Sequence, residues 1–169
     1  MESGEIQPWL FQVEPYQGES LSHFLGRFRR VNDLTPTGLG TAAGLGGAIA
    51  RWEKFRFNPP PSHQQLEALA AVVGVEAHRL AQMLPPAGVG MKHEPIRLCS
   101  ACYAQVPCHR IEWQFKVTQG CDRHQLRLLS ECPNCGARFK VPALWVDGWC
   151  QRCFMRFGKM VKCQKAFEH

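Results

Sequence analysis

Apolar residues near the start of the chain recur at the spacing of a helix. They fall at positions i, i+3, i+4 and i+7 and are Leu21, Phe24, Leu25 and Phe28. Residues at this spacing share one face of a helix, and burial of that face stabilises the helix. Ser20 can cap the first turn, and Gly18 allows the turn that precedes it. The pattern predicts an amphipathic helix over about residues 20–31.

Three arginines lie off this apolar face: Arg27, Arg29 and Arg30. Cations are favoured near a helix C-terminus, so a solvated helix end explains them without any ligand. The same side chains could instead contact phosphate or an acidic partner. The sequence leaves both interpretations open.

The next segment begins with Thr35-Pro36, a cap followed by a proline at the first helical position. Five glycines between residues 38 and 47 then disfavour a long helix, so we expect short helices or a mobile loop. The segment lacks the G-x-x-x-x-G-K-S/T pattern of a phosphate-binding loop, which argues against nucleotide binding.

Two further helices joined by a glycine turn form a helix-turn-helix candidate. Ser62 and Gln65 make a capping box at the head of the first helix, which ends at Gly74. The second helix starts near Val75 and stops at Pro85. The positions it would present to DNA are Glu76, His78, Arg79 and Gln82. One arginine beside a glutamate reads bases poorly, so packing or protein contact is the favoured role of this helix.

The composition is that of a folded globular protein, with 45% hydrophobic and 20% charged residues in a chain of 169. No apolar run reaches the roughly 18 residues of a membrane span, and the acidic start at residues 1–5 differs from a signal peptide. We therefore expect a cytoplasmic protein without membrane contact. Disulfides rarely persist in that compartment, so nine cysteines, all between Cys99 and Cys163, indicate metal binding or chemistry.

Eight residues form four knuckles with C-x2-C or C-x2-H spacing. Two intervening residues let a tight turn direct both donors at one ion, and the loops between successive knuckles have zinc-ribbon lengths. Pairing in sequence order predicts one site made by Cys99, Cys102, Cys121 and His124. The other site is made by Cys132, Cys135, Cys150 and Cys153. A cross-braced pairing would exchange the middle knuckles, but it closes longer loops at a higher entropic cost.

Four protein donors leave no coordination position for water or substrate, so both zinc ions are expected to be structural. A disulfide framework or a redox C-x-x-C is the alternative, which four repeated knuckles disfavour. Cys108 and Cys163 lie outside the knuckles. Cys108 beside His109 could act as a nucleophile, but neighbouring residues point apart and no orienting acid is near, so a surplus thiol or alternative ligand is favoured.

Residues around the knuckles add two expectations. Gly136 after Cys135 suits a left-handed turn, whereas Tyr103 stands at the equivalent place after Cys102. The large apolar side chains near the sites can form a small core or stack on RNA, and the core role is favoured. These side chains are Trp113, Phe115, Leu126, Leu128, Leu129, Phe139, Trp145, Trp149 and Phe154.

Charge also divides the chain. Residues 1–91 carry seven Lys and Arg against eight Asp and Glu, a net charge of −1, whereas residues 92–169 carry thirteen against six, a net charge of +7. Two zinc ions with seven thiolates would lower the second value to about +4, so charge alone is weak evidence for nucleic-acid binding. The tail supplies the candidate surface for nucleic acid or an acidic partner: Arg152, Arg156, Lys159, Lys162 and Lys165.

The fold class that follows is α with small zinc-ribbon modules. Residues 1–90 would form a helical domain with a helix-turn-helix, and residues 91–169 a domain of two tandem zinc fingers with a basic tail. We expect the first zinc site within about residues 97–128 and the second within about residues 130–158.

Taken in order, these motifs resemble the TniQ family of transposition proteins. The family's opening is similar to the segment Glu14-Pro15-Tyr16-Gln17-Gly18-Glu19-Ser20-Leu21-Ser22, which runs into a helix with Arg27 and Asn32. A second matching run contains Cys99-x2-Cys102, Arg110, Trp113, Cys121-x2-His124, Leu129 and Cys132-Pro133-Asn134-Cys135-Gly136. Ser100 stands where the family pattern has proline. Together the matches span nearly the whole chain.

The resemblance implies a non-catalytic accessory protein of Tn7-like transposition that selects targets and recruits the AAA+ ATPase TnsC. Longer relatives carry extra DNA-binding domains, so this chain looks most like the short TniQ of CRISPR-associated transposons. Such a protein is an adaptor between the ATPase and an RNA-guided CRISPR effector with its guide RNA and tracrRNA, and it would reach DNA through the complex. The helical half, including residues 20–32, would contact the ATPase, and the zinc half with its tail would face RNA or the effector.

Two other function classes remain open at this point. A zinc-containing transcription regulator would bind one duplex sequence tightly at physiological salt. An enzyme would lose activity on mutation of Cys108 while its zinc is retained.

Overall fold

The structure, a computed structural model, describes residues 10–167, and the acidic start at residues 1–5 lies outside them. Six α-helices occur in this range: α1 (Leu21–Val31), α2 (Pro36–Ala43), α3 (Ala48–Glu53), α4 (His63–Val73), α5 (Ala77–Ala81) and α6 (Ser100–Gln105). Three 3₁₀ helices span Ile111–Gln114, Pro142–Leu144 and Phe157–Cys163. An antiparallel hairpin pairs β1 (Gly120–Cys121) with β2 (Leu126–Arg127). Within residues 10–167 no helix is long and apolar enough to cross a membrane.

Helix α1 forms where the apolar spacing predicts it. The Ser20 hydroxyl accepts a hydrogen bond from the His23 N–H at 3.3 Å, which makes Ser20 the N-cap as predicted. The four apolar side chains of the predicted face are each 0% exposed. At the other end the Asn32 side chain donates to the Phe28 carbonyl at 3.0 Å. Helix α1 is therefore a central element of the core.

The glycine-rich segment forms the short helices α2 and α3, which confirms one of the two expectations for it. Thr35 Oγ1 accepts a hydrogen bond from the Gly38 N–H at 2.9 Å and so caps α2. Gly44 ends α2 with a left-handed φ of 68°. Helix α3 then places Ile49 and Trp52 in the core.

Helices α4 and α5 meet at a glycine turn. The predicted capping box is present, because Ser62 and Gln65 each accept a hydrogen bond from the other's backbone N–H. Gly74 ends α4 with a φ of 72°. Helix α5 is shorter than predicted and ends at Ala81. Pro85 has no N–H for the Ala81 carbonyl, which accepts instead from the Leu84 N–H at 3.2 Å in a tighter turn of the 3₁₀ type. A DNA-reading role for this helix pair stays a prediction.

Two clusters of buried apolar side chains form the core. Helices α1 to α5 make the first cluster. The second cluster surrounds the knuckle cysteines and includes Trp113, Phe139 and Trp145. It also includes Phe55, which follows α3 and is 0% exposed. A side chain of the helical half thus completes the core of the zinc half, and the domain division at about residue 90 stays a prediction.

Helix α1 approaches the zinc half closely at Gly26. A Cβ atom at Gly26 would lie 2.3 Å from the carbonyl oxygen of Ala143, in the 3₁₀ helix that precedes the last knuckle. The Ala143 N–H donates to the Ser22 hydroxyl at 3.1 Å, and Ser22 donates to the Glu53 carbonyl at 2.6 Å. Helix α1 therefore packs on the second zinc module with no room for a side chain between them.

This close approach predicts an unusual effect of alanine. Replacing glycine by alanine inside a helix normally stabilises it by up to about 1 kcal/mol. We expect Gly26→Ala instead to lower the free energy of unfolding by about 1–3 kcal/mol, because the methyl group would overlap the Ala143 backbone. Urea unfolding followed by circular dichroism measures the change.

Gly38→Ala in α2 is the control, since a Cβ there would meet only side-chain atoms, the nearest at 3.3 Å. Equal effects of the two substitutions would contradict the close packing of α1 on the zinc half.

Candidate metal centres

The first donor cluster is assembled from a helix start and a hairpin. Cys99 is the N-cap of α6 and Cys102 lies in its first turn, while Cys121 ends β1 and His124 follows in the hairpin turn. The His124 Nδ1 atom lies 3.9, 3.3 and 3.6 Å from the sulfur atoms of the three cysteines, in sequence order. The Cys102 and Cys121 sulfur atoms are 3.5 Å apart. Four donors from two separate elements thus converge on one point.

These separations fit a tetrahedral zinc ion. With Zn–S bonds of about 2.3 Å and Zn–N bonds of about 2.0–2.1 Å, a tetrahedron has sulfur–nitrogen edges of about 3.6 Å and sulfur–sulfur edges of about 3.8 Å. The observed separations, from 3.3 to 3.9 Å, lie close to these lengths.

The second donor cluster contains sulfur only. The Cys132 and Cys153 sulfur atoms are 3.6 Å apart, and those of Cys135 and Cys150 are 3.5 Å apart. A disulfide bond would require about 2.05 Å. All nine cysteines of the chain are free thiols in the structure, so the disulfide alternative is not supported.

The second cluster is built from two copies of one turn. After Cys135, the Gly136 N–H donates to the Cys132 carbonyl at 2.8 Å and Gly136 has a φ of 75°, as the sequence predicts. After Cys153, the Phe154 N–H donates to the Cys150 carbonyl at 2.9 Å and Phe154 has a φ of 63°. A left-handed conformation costs a non-glycine residue about 1–2 kcal/mol. The chain accepts this strain where the turn must aim both thiols at one point.

Both clusters pair the knuckles in sequence order, and the donor atoms within each cluster lie within 4.8 Å of one another. Seven thiols and one imidazole, with no carboxylate, are the donor set of structural zinc. The two clusters fit two zinc ions held by protein donors alone, which confirms the prediction of two structural zinc sites.

The first knuckle differs from the others because it starts a helix. Tyr103 belongs to α6 and its N–H donates to the Cys99 carbonyl at 3.0 Å, so no left-handed residue is needed there. The Ser100 N–H donates to Gln164 Oε1 at 2.8 Å, and the Ser100 hydroxyl donates to the Phe157 carbonyl. A proline in place of Ser100 would lack this N–H. Ser100 therefore ties the first zinc site to the end of the chain.

The basic tail is an ordered part of the first zinc module. Its 3₁₀ helix packs against α6. The Gln164 amide donates to the Arg127 carbonyl at 2.9 Å, and Ala166 pairs with Leu126 at the edge of the hairpin. The five cations of the predicted surface are all exposed: Arg152, Arg156, Lys159, Lys162 and Lys165.

The sequence profile of the TniQ family matches residues 10–128, a range that contains the helical half and all four donors of the first cluster. The chain belongs to the TniQ family. Membership associates it with DNA transposition, in which TniQ proteins are non-catalytic components. No curated protein matches the chain. The second zinc cluster lies outside the matched range, so its assignment depends on the positions of its four donors alone.

In this TniQ protein Arg27 is part of a buried ion pair. Its guanidinium group donates to both carboxylate oxygens of Glu19, at 2.7 and 2.8 Å, and lies over the Tyr16 ring. Glu19 is 0% exposed. Burial alone would raise the pKa of Glu19, but hydrogen bonds from His23 and Arg27 outweigh burial and lower the pKa. Arg27 therefore compensates a buried carboxylate.

The other two arginines of α1 also have internal partners, and a nucleic-acid or partner surface formed by Arg27, Arg29 and Arg30 stays a prediction. Arg29 Nε donates to the buried Glu53 carboxylate at 3.0 Å. Arg30 donates to the carbonyls of Ala143 and Trp145 at 2.7 and 3.4 Å. Contact between residues 20–32 and the ATPase likewise stays a prediction.

Cys108 has the properties of a buried structural thiol. It is 1% exposed and lies outside both donor clusters. Burial raises the pKa of Cys108 to about 12, so almost no thiolate is present near neutral pH. The interpretation as a nucleophile is not supported. Cys163 is exposed at the end of the last 3₁₀ helix and is also outside the clusters.

His109 connects the two halves, a role that the sequence analysis missed. The Gln114 Oε1 atom accepts from the Arg97 N–H and must also accept from the His109 Nε2–H at 3.2 Å. His109 Nδ1 is then the acceptor for the Ser20 hydroxyl at 2.9 Å. Burial lowers the pKa of His109 well below its usual value, which keeps the ring neutral. No local pattern could reveal this contact, because Ser20 and His109 are 89 positions apart.

Most of the aromatic side chains near the clusters lie in the core, as predicted. Trp113 is 1% exposed and Trp145 is 4% exposed. The Trp145 ring centroid lies 4.8 Å from that of Phe157 and 5.3 Å from that of His109. Phe154 is 66% exposed, and Trp149 is half-buried and lies outside the core clusters.

The two zinc sites should load independently, because they share no donor. We expect about two zinc ions per wild-type chain and about one in Cys121→Ala or Cys150→Ala, since the loss of one thiolate from a four-donor site removes most of its affinity. Native mass spectrometry of the folded proteins counts the bound metal.

Cys163→Ala is the matched control, as it removes an exposed thiol outside both clusters and should keep both metals. Two zinc ions retained in Cys121→Ala, or one lost from Cys163→Ala, would show that the donors are assigned wrongly.

Proposed function

We propose that this TniQ protein is a non-catalytic adaptor in RNA-guided DNA transposition. It links a CRISPR effector, with its guide RNA and tracrRNA, to the AAA+ regulator TnsC and so takes part in target-site selection. The observation that carries the proposal is the family match over residues 10–128.

Two properties of the sites support a binding role rather than catalysis. Each zinc cluster supplies four protein donors, which leaves no position for a reacting water or substrate. The thiol of Cys108 is buried and has a raised pKa, unlike the thiol of an activated nucleophile. Function then resides in the exposed surfaces that the zinc modules and helices hold in place.

The groove between α4 and α5 is the proposed contact for the ATPase. Exposed residues on both helices surround the groove, including Glu67, Ala71 and His78. Apolar side chains including Ala71 line the groove, and Glu67 and Glu76 add negative charge. Such a groove is suited to an apolar segment with flanking cations.

A bulky side chain in this groove tests the contact. We expect Ala71→Arg to weaken binding to the purified ATPase at least about tenfold, because the exposed side chain would occupy the groove. Gln64→Arg on the same helix is the control, since Gln64 is exposed and does not line the groove. Biolayer interferometry with the zinc-loaded chain measures both. Equal binding by the two variants would rule out the groove as the contact.

The tail is the proposed contact for RNA or the effector. We expect the combined substitutions Arg156→Glu, Lys159→Glu and Lys162→Glu to abolish association with the effector–RNA complex and to reduce transposition in cells, because all three cations are exposed. Zinc content and circular dichroism verify the fold of the variant. Unchanged RNA binding and transposition in a folded variant would refute this assignment.

A duplex-binding measurement separates the adaptor from a zinc-containing transcription regulator. An adaptor co-purifies with the AAA+ ATPase and binds free duplex DNA weakly, whereas a regulator binds one duplex sequence tightly at physiological salt. Tight, sequence-specific duplex binding without ATPase association would favour the regulator.

A further inference from the structure

A basic cleft of about 740 Å³ lies where the helical half meets the second zinc module. Lys54 and Arg56 reach it from the segment after α3, and Arg138 and Lys140 reach it from the segment after the third knuckle. Its apolar lining includes Ile96 and Phe139. None of the five tail cations lines it. The cleft is therefore a separate feature from the tail surface.

Two tripeptides of the same pattern, Lys54-Phe55-Arg56 and Arg138-Phe139-Lys140, supply the cations. In each, the phenylalanine is buried in the core of the zinc half, and the cations on both sides are exposed. Successive side chains in an irregular or extended segment point in different directions, so an anchored phenylalanine directs its neighbours outward. Four cations from two distant segments thus meet because the same core binds both rings.

Phe55 has a strained backbone conformation. It has a left-handed φ of 60° just after α3, where the Arg56 N–H donates to the Arg51 carbonyl at 3.0 Å. This helix ending usually has glycine. The Phe55 ring lies 5.6 Å from the His109 ring and is 0% exposed, so burial offsets the strain. The positions of Lys54 and Arg56 are therefore fixed by tertiary packing.

The cleft cations lack internal counter-charges. Among residues 10–167, no salt bridge involves Lys54, Arg56, Arg138 or Lys140. Glu53, the nearest acid in sequence, faces inward and pairs with Arg29. Glu94 is the one acidic residue that lines the cleft. A cleft lined by four cations and one carboxylate has an excess of positive charge, which attracts anions.

We infer that this cleft binds a single nucleic-acid strand through its phosphates. Grooves that combine aligned cations with apolar surface are the general means of holding single strands. A duplex carries its phosphates on a convex surface and cannot enter a concave cleft of this size, whereas a flexible strand can follow it. In the adaptor complex the strand is RNA, and this part of the inference rests on the proposed function.

The salt dependence of binding gives a direct test. Four phosphate contacts predict that the logarithm of the association constant falls with the logarithm of salt concentration with a slope of about −3. Fluorescence anisotropy of a labelled, unstructured RNA of about 12 nucleotides, with the zinc-loaded full chain, measures that slope. Because phosphates are the ligand, single-stranded DNA of equal length should bind within a few fold of RNA, and duplex DNA more weakly.

Paired substitutions test whether the cleft cations cause this salt dependence of RNA binding. Lys54→Gln with Arg56→Gln, and separately Arg138→Gln with Lys140→Gln, should each reduce the steepness of the slope by about 1.4. Arg123→Gln with Arg127→Gln removes two exposed cations outside the cleft and should change the slope by much less. Zinc content and urea unfolding confirm that all variants are folded.

The cleft assignment fails if the wild-type chain does not bind the strand, if duplex DNA is preferred, or if the control pair lowers the slope as much as the cleft pairs do. Binding of the cleft variants to the ATPase is measured as well. Variants that bind the ATPase normally show that a failure of the cleft assignment is not a failure of the proposed function. A wild-type chain that binds the strand and not the ATPase would instead count against the adaptor.

Discussion

Tetrahedral coordination by protein donors is the constraint on which the C-terminal half of this TniQ protein depends. From residue 91 to residue 167, regular structure consists of α6, three short 3₁₀ helices and a hairpin of two-residue strands. Such elements are too short to fix a chain by backbone hydrogen bonds alone. Structural zinc contributes about 10–16 kcal/mol of binding free energy in small zinc peptides, and that energy is available for folding because the unfolded chain has no formed site. The donors of each cluster also lie among the buried side chains of the second core, so metal binding and core packing stabilise the same residues.

The zinc modules are connected to each other and to the helices by contacts that are distant in sequence. The segment after the second site returns to the first through Gln164, and Ala143 near the second site packs on Gly26 of α1. A neutral His109 joins the N-cap of α1 to the zinc half through Ser20. The α4–α5 groove, the tail and the basic cleft are therefore carried by one connected set of buried contacts. The proposed adaptor role requires such a scaffold, because partners must be held at defined positions relative to each other.

Local patterns predicted much of this structure. Periodicity and caps located α1 and α4, knuckle spacing grouped the eight donors, and Gly136 marked its turn. What the sequence could not supply is the partner of a side chain across a long separation. Arg27, Arg29 and Arg30 resemble a solvated basic face until Glu19, Glu53 and the Ala143 carbonyl are placed beside them. Phe55 likewise belongs to the helical half by position and to the zinc half by packing. Helix α5 ends before the position that Pro85 predicts, because the turn ahead of the proline has the tighter hydrogen bonds of a 3₁₀ helix, which no local pattern marks.

The claim that both metal sites are closed and structural is tested most directly by zinc K-edge X-ray absorption of the purified chain. Seven sulfur atoms and one nitrogen atom shared by two ions give an average first shell of about 3.5 sulfur and 0.5 nitrogen neighbours per zinc, with Zn–S bonds of about 2.3 Å. We expect that shell, unchanged between the free chain and its complexes. A shell with one or more oxygen neighbours per zinc, or with fewer than three sulfur neighbours, would show an open or incomplete site and would contradict the structural role assigned to the metals.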